Sequence, residues 1–211
     1  FMNSDNDNFA LFRRNSNNVL EFKWAAVGAG QRPTVEDGLS VLQDALVSIT
    51  YEVGGEVVLY INGTRAAARD CTAAMGADNL FIGHVGNKAF RTTYRSLRFY
   101  RRALSAEEIR RNAAVDGYVD VKELYVQDGL ASLYSGIRNT RAGYNADAAV
   151  WEDLAGQQDI TLNLNDKNYF TREGLRLNSQ KHSFPQTIVN TVNGQAFTVE
   201  MSLGALTTLG H

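Results

Sequence analysis

Between Asn79 and Tyr100 apolar side chains recur on alternate positions, Leu80 and Ile82 in one run and Leu97 and Phe99 in the next, the period-2 pattern of a half-buried strand. The period then changes. Ser105 and Glu108 have capping-box spacing, and Leu104 and Ile109 stand at N′ and N4 as a hydrophobic staple, so a short helix is predicted over 106–113. Further strand-like runs are Phe9–Arg13, Val19–Lys23, Leu46–Tyr51, Glu56–Ile61, Asn79–Gly83, Thr92–Tyr100, Ile160–Leu164, Leu175–Leu177, Thr187–Val192 and Phe197–Leu203. Asn, Asp and Gly clusters separate them and mark turns. Asn62-Gly63, between Val57–Ile61 and Thr64-Arg65, is a type I′ hairpin signal. Many short strands with one helix predict an all-β antiparallel sandwich rather than alternating β and α units.

The run LRFYRRALSAEEI, ending at Ile109, resembles the closing signature of laminin G-like modules of the concanavalin A-like lectin/glucanase superfamily, and the hairpin through Asn62-Gly63 is similar to one of theirs. Downstream, Asp128-Gly129-Leu130, Tyr134-Ser135-Gly136, Asn139-Thr140 and the run Val150 to Gly156 resemble the opening of the same modules, and Phe197 to Glu200 resembles the strand that follows it. The resemblance implies a jelly-roll β-sandwich of concanavalin A type. It also places the family's end before its beginning. Residues 1–119 resemble the later part of a module and 120–211 the earlier part, so the chain is either a permuted single jelly roll or two partial modules of a tandem or strand-exchanged assembly. Which strands flank Phe197–Leu203 bears on that choice.

Composition narrows the class without naming a ligand. The 211 residues, 44% hydrophobic and 21% charged, suffice for a sizeable core. A net charge of −2 supplies no bulk field for nucleic acid or anionic membrane. Cys71 alone rules out an intramolecular disulfide framework and a thiolate zinc site. No apolar run approaches the roughly 20 residues of a membrane-spanning helix. The opening Phe1-Met2-Asn3 reads as a piece of something longer.

Catalytic patterns are weak. The E-x-D-x-x-E arrangement of related glucanases is absent, and Glu200, the best single acid, is read as a paired or solvated strand residue. Glu152 and Asp153 are adjacent, so on a strand they address opposite faces. Trp151 reads as core and Asp153 as the holder of the turn ending at Gly156. His84, His182 and His211 lack metal or triad spacing, and Ser183 beside His182 reads as chance adjacency. The expectation is no enzyme.

Binding features are more numerous. Asp5 and Asp7, within an Asn-rich run, form a set that could take calcium, against the stronger reading of a polar hairpin tip; no other cofactor is implied. Arg91, Arg95, Arg98, Arg101, Arg102, Arg110 and Arg111 are the densest cation cluster, interleaved with Tyr94, Phe99 and Tyr100. They read as structural rather than as a nucleic-acid surface. A sugar site needs flat rings and hydrogen-bonding side chains. Tyr134, Asn139, Arg141, Tyr144, Asn145 and Trp24 are the candidates, centred on the long segment Ser135 to Ala148, with Tyr134 and Trp24 set against the commoner reading of such rings as core. By resemblance the expected function is a non-catalytic binding or adhesion module, recognising glycans or cell-surface polysaccharide, in an extracellular, cell-surface or virion-surface protein. The alternatives are a structural repeat or decoration domain assembling with its own copies in a bacterial or phage surface assembly, and, at lowest weight, a glycoside hydrolase.

Overall fold

The computed structural model describes residues 2–3, 9–14, 20–24, 33–35, 44–71, 79–83, 90–115, 124–165, 168–178, 181–193, 196–204 and 208–209. In chain order the elements are β1 (Met2–Asn3), β2 (Phe9–Arg14), β3 (Leu20–Trp24), β4 (Thr34–Val35), β5 (Leu46–Glu52), β6 (Glu56–Ile61), β7 (Thr64–Asp70), β8 (Phe81–Gly83), β9 (Phe90–Tyr100) and α1 (Ala106–Val115). They continue with β10 (Leu130–Ser135), β11 (Val150–Trp151), β12 (Ile160–Thr161), β13 (Tyr169–Thr171), β14 (Gly174–Asn178), β15 (Lys181–Ser183), α2 (Gln186–Val192), β16 (Ala196–Leu203) and β17 (Thr208–Leu209).

Two antiparallel sheets make the sandwich. One runs β15-β8-β1-β2-β3-β4 and the other β13-β14-β9-β16-β5-β6-β7, with β10 and β17 also on β9. β9 is the spine of the larger sheet: β14 and β10 lie along one edge and β16 and β17 along the other. β16 is hydrogen-bonded between β9 and β5, so the strand flanked in Phe197–Leu203 finds both neighbours within the same chain. Neither neighbour comes from the first strands of the chain, β1 and β2.

Alternation sorts the side chains. Val47, Ile49 and Tyr51 of β5, Phe197, Val199, Met201 and Leu203 of β16, and Leu97 and Phe99 of β9 point into the main core, where Phe22, Leu80 and Ile82 meet them from the smaller sheet. Between Tyr94 and Ser96 the pairing with β16 shifts register, so Tyr94 and Leu97 both face inward although three positions apart. The outer face of the larger sheet carries Val58, Tyr60 and Tyr100, covered by Leu104, Ile109 and Val126.

The predicted helix start is present: the Glu108 N–H donates to Ser105 Oγ at 3.3 Å and the Ser105 N–H to Glu108 at 2.8 Å, while Leu104 and Ile109 share one cluster. Asn62 and Gly63 adopt φ of 49° and 79°, the left-handed pair a type I′ turn requires. Thr187–Val192, expected as a strand, is instead helix α2. Its β-branched composition suggested extension, but Pro185 leads into a first turn with Ile188, Val189 and Val192 on one buried face, a helical spacing. Tertiary burial outweighs the propensity of Thr, Ile and Val.

Candidate functional site

The segment from Gly136 to Ala149 leaves β10 at a tight crossing. A Cβ on Gly136 would collide with the Tyr94 carbonyl and the Leu175 amide, so only glycine lets β10, β9 and β14 converge there. Hydrogen bonds then fix the loop. Asn139, fully buried, donates from Nδ2 to the Asn145 carbonyl at 2.7 Å and accepts the Asn145 N–H at 2.8 Å, while Thr140 and Gly143 exchange backbone bonds of 3.0 Å. Asn139 is therefore a clamp with its side chain spent inside the loop. Asn145 is exposed and its Oδ1 accepts the Asp147 N–H.

Tyr144 is 37% exposed, with the Arg172 guanidinium 5.5 Å from its ring centroid. Arg141 donates to Asp159 at 2.6 Å, to Glu152 at 3.3 Å and to the Asp153 carbonyl at 3.1 Å, so its charge is matched by two carboxylates. Tyr134 corrects the sequence reading: it is fully buried, its hydroxyl donates to the Gln158 carbonyl, and its ring lies 5.3 Å from that of Trp151. Inward alternation on β10 puts this ring in the core, where burial raises its pKa and no sugar can stack on it. Trp24 contributes backbone pairing to β3, and its side chain, like all of Asp5 and Asp7, lies outside the described residues. Among the described residues no group of three or more His, Cys, Asp or Glu could hold a metal.

A cleft of about 450 Å³ opens beside Asp159, where β12 and the residues after it run along β15 and the entry to α2. Leu162, Phe184 and Pro185 supply an apolar wall; Asp159, Thr161, Asn163 and Ser183 supply polar groups. Phe184 is held edge-on to Phe99, centroids 5.4 Å apart, and its N–H donates to the Leu80 carbonyl. His182, paired with Ile82 of β8, is 3% exposed. Its Nδ1 accepts the Asn163 N–H at 3.4 Å, which leaves the ring proton on Nε2, and Nε2 has no protein partner among the described residues. Burial lowers the His182 pKa, keeping the ring neutral.

Asp159 joins this cleft to the loop. Partial burial pushes its pKa up, but hydrogen bonds from Arg141 and the Asp153 N–H, with the Arg141 charge, more than offset that, so it titrates below its ordinary value. Asp153 itself is fully buried and accepts the N–H groups of Leu133, Ala155 and Gln158, the turn-holding role expected of it. Trp151 is core as expected, donating to the Ser135 carbonyl at 2.7 Å. Of the six sugar-binding candidates, Arg141 reaches the cleft's rim through Asp159. His182 and Ser183, read as chance neighbours, both line it.

The arginine cluster disperses into pairs. Arg102 binds Glu108 at 2.6 Å and Asp128 at 2.9 Å, Arg95 binds Asp44, and Arg111 donates to the Leu124 carbonyl. Arg98 and Glu200 form an ion pair of 2.9 Å with both side chains fully buried. Glu200 also accepts from Asn112 of α1 at 2.7 Å and from Ser48 at 3.1 Å, and Arg98 lies 4.2 Å from the centre of the Tyr125 ring. Sealed beneath the helix, this carboxylate cannot touch a polysaccharide.

Sheets and burial together define an antiparallel β-sandwich, not a closed barrel. Residues 1–110 match the Laminin_G_3 family of the concanavalin A-like lectin/glucanases superfamily, and the chain belongs to that family. No curated protein and no solved structure matches the chain. Laminin G-like domains are typically extracellular and of a non-catalytic, lectin-type kind, and no described helix is long and apolar enough to cross a membrane.

Proposed function

We propose that this chain is a non-catalytic carbohydrate-binding module of a secreted, cell-surface or virion-surface protein, with the cleft between β12 and β15 as its binding site. The observation that carries this reading is the cleft's composition: an apolar wall facing hydroxyl, amide and carboxylate groups. Sugars present the same combination, apolar C–H faces ringed by hydroxyls. The site is held by sheet edges, the 136–149 loop and the first turn of α2, which pre-organises it. The lectin-type family supports the class of ligand.

We read residues 1–119 and 120–211 as two parts of one permuted jelly roll. The pairing of β16 with β9 and β5 of its own chain supports that over partial modules. A glycan array probed with the soluble chain, with and without chelator, tests the function. Binding that survives chelation and weakens in Thr161→Val and Ser183→Ala is expected; absence of binding across neutral, amino and acidic glycans would refute it.

A further inference from the structure

We infer that β15 is an acid-released latch: a proton taken up by His182 parts β15 from the residues that follow β12 and dismantles the cleft between them. One bond joins the two sides. His182 Nδ1 accepts the Asn163 N–H at 3.4 Å, and both residues line the cleft. A protonated imidazole carries an N–H on each nitrogen, so Nδ1 then presents a donor to a donor. The attraction that closes the seam becomes a repulsion. The rest of the ring gives the proton no way in while the seam is closed: His182 is 3% exposed, and Nε2 is shut off from solvent with no protein partner among the described residues.

Among the described residues, nothing beside the ring is placed to stabilise an imidazolium. β8, which pairs with it, brings Phe81, Ile82 and Gly83, and none of them titrates. β12, Leu162 and Asn163 bring no charge, and neither does α2. Phe184 packs against Phe99 and Tyr134, whose hydroxyl burial keeps neutral. Asp159 lines the cleft, but its carboxylate is held by Arg141. Lys181 precedes His182 on β15, and its charge has the same sign as the incoming proton. Burial alone keeps the ring neutral, so protonation requires β15 to come away. That opening is small: β15 has three residues, ends its sheet and pairs with β8. Such segments open at a fraction of the global free energy. In the open segment His182 titrates at its ordinary 6.5, in the closed one below it. The latch therefore holds with full strength above 6.5. The open fraction increases about tenfold per pH unit below that, down to the closed form's own lower value. A ligand held between the two sides is then released on acidification.

NMR of the full chain, titrated between about pH 8 and about pH 5, reads the latch without any ligand, so its failure and that of the carbohydrate-binding reading are separate results. At the alkaline end the His182 ring should be neutral with its proton on Nε2. Below 6.5, the hydrogen-exchange protection of the Asn163 and Phe184 amides, corrected for intrinsic exchange, should fall about tenfold per pH unit. The β16 amides should stay better protected throughout. His182→Gln keeps an acceptor for the Asn163 N–H but cannot take up the proton, so its protection profile should be flat. Three results would overturn the latch: a ring that protonates near 6.5 while both amides keep their protection, protection in the native chain that does not change with pH, or the same fall in His182→Gln. The first two are read on the native chain and decide the matter if the variant does not fold.

Discussion

Replacing Glu200 by Gln changes one charge and almost no volume, so it isolates what the buried pair with Arg98 does. In the native chain one carboxylate oxygen accepts from Arg98 Nε at 2.9 Å and Asn112 Nδ2 at 2.7 Å, and the other from Ser48 Oγ at 3.1 Å. A glutamine oxygen can keep the first two bonds and its amide can turn to Ser48, but the negative charge facing a fully buried guanidinium is lost. Breaking such a pair costs about 3–5 kcal/mol, a large share of the roughly 5–15 kcal/mol that holds a domain. Urea unfolding followed by tryptophan fluorescence reads this as a fall in midpoint at constant slope. The double variant Arg98→Met/Glu200→Met should recover most of the loss, because apolar replacement of both partners removes the uncompensated charge. A loss below about 1 kcal/mol in Glu200→Gln would refute the reasoning, since an exposed pair behaves that way. Polysaccharide cleavage that vanishes in a Glu200→Gln protein of native stability would refute the burial argument itself.

Three further outcomes follow from the same geometry. Fragments 1–119 and 120–211 should each fail to melt cooperatively alone and regain a cooperative transition when mixed. The inward Phe197, Val199, Met201 and Leu203 of β16 contribute about 6–12 kcal/mol together; a folded, dispersed NMR spectrum from either fragment alone would refute this. Glu108 titrates near 2 rather than 4.5, chiefly through its hydrogen bond with Arg102. Its stabilisation is therefore complete above about 4.5 and lost as pH falls through about 2, and Glu108→Gln should flatten that part of the stability profile measured by urea midpoints; an unchanged slope would count against the cap. Gly136→Ala should cost about 3 kcal/mol or more in a thermal melt, because its methyl meets the Tyr94 carbonyl and the Leu175 amide; an unchanged midpoint would show that the strands can separate there.

Features specified by neighbouring residues were legible in the sequence. The capping box at Ser105 and Glu108, the Asn62-Gly63 turn and the alternation at Leu97 and Phe99 all appear where local spacing puts them. Features that depend on a covering layer were not legible. Ser48, Glu200 and Arg98 sit opposite one another on β5, β16 and β9, and on an open sheet face such a row would be solvated. It is buried because α1 and Tyr125 lie over it, a contact that strand pattern does not encode. Tyr134 stood open between core and sugar platform because a Tyr before a long polar loop has the same local signature whether it faces in or out. The helical spacing of Ile188, Val189 and Val192 was present, yet β-branched composition masked it.

The cleft was illegible for a different reason: its two sides come from segments about twenty residues apart, and neither has a motif. Every residue that lines it falls between Asp159 and Pro185, whereas the family match ends at residue 110. Membership therefore accounts for the part of the scaffold within residues 1–110 and says nothing specific about this site. The two sides of the cleft, at His182 and at Asp159, are held by unlike means. His182 is placed by strand pairing with Ile82 and by the Asn163 N–H, so its donor is fixed by the sheet edge. Asp159 is placed by Arg141 from the loop that Asn139 clamps to Asn145. The rim of the cleft at Asp159 is therefore coupled to that loop, so changes at Asn139 should reach the cleft through Arg141 and Asp159 without touching a ligand.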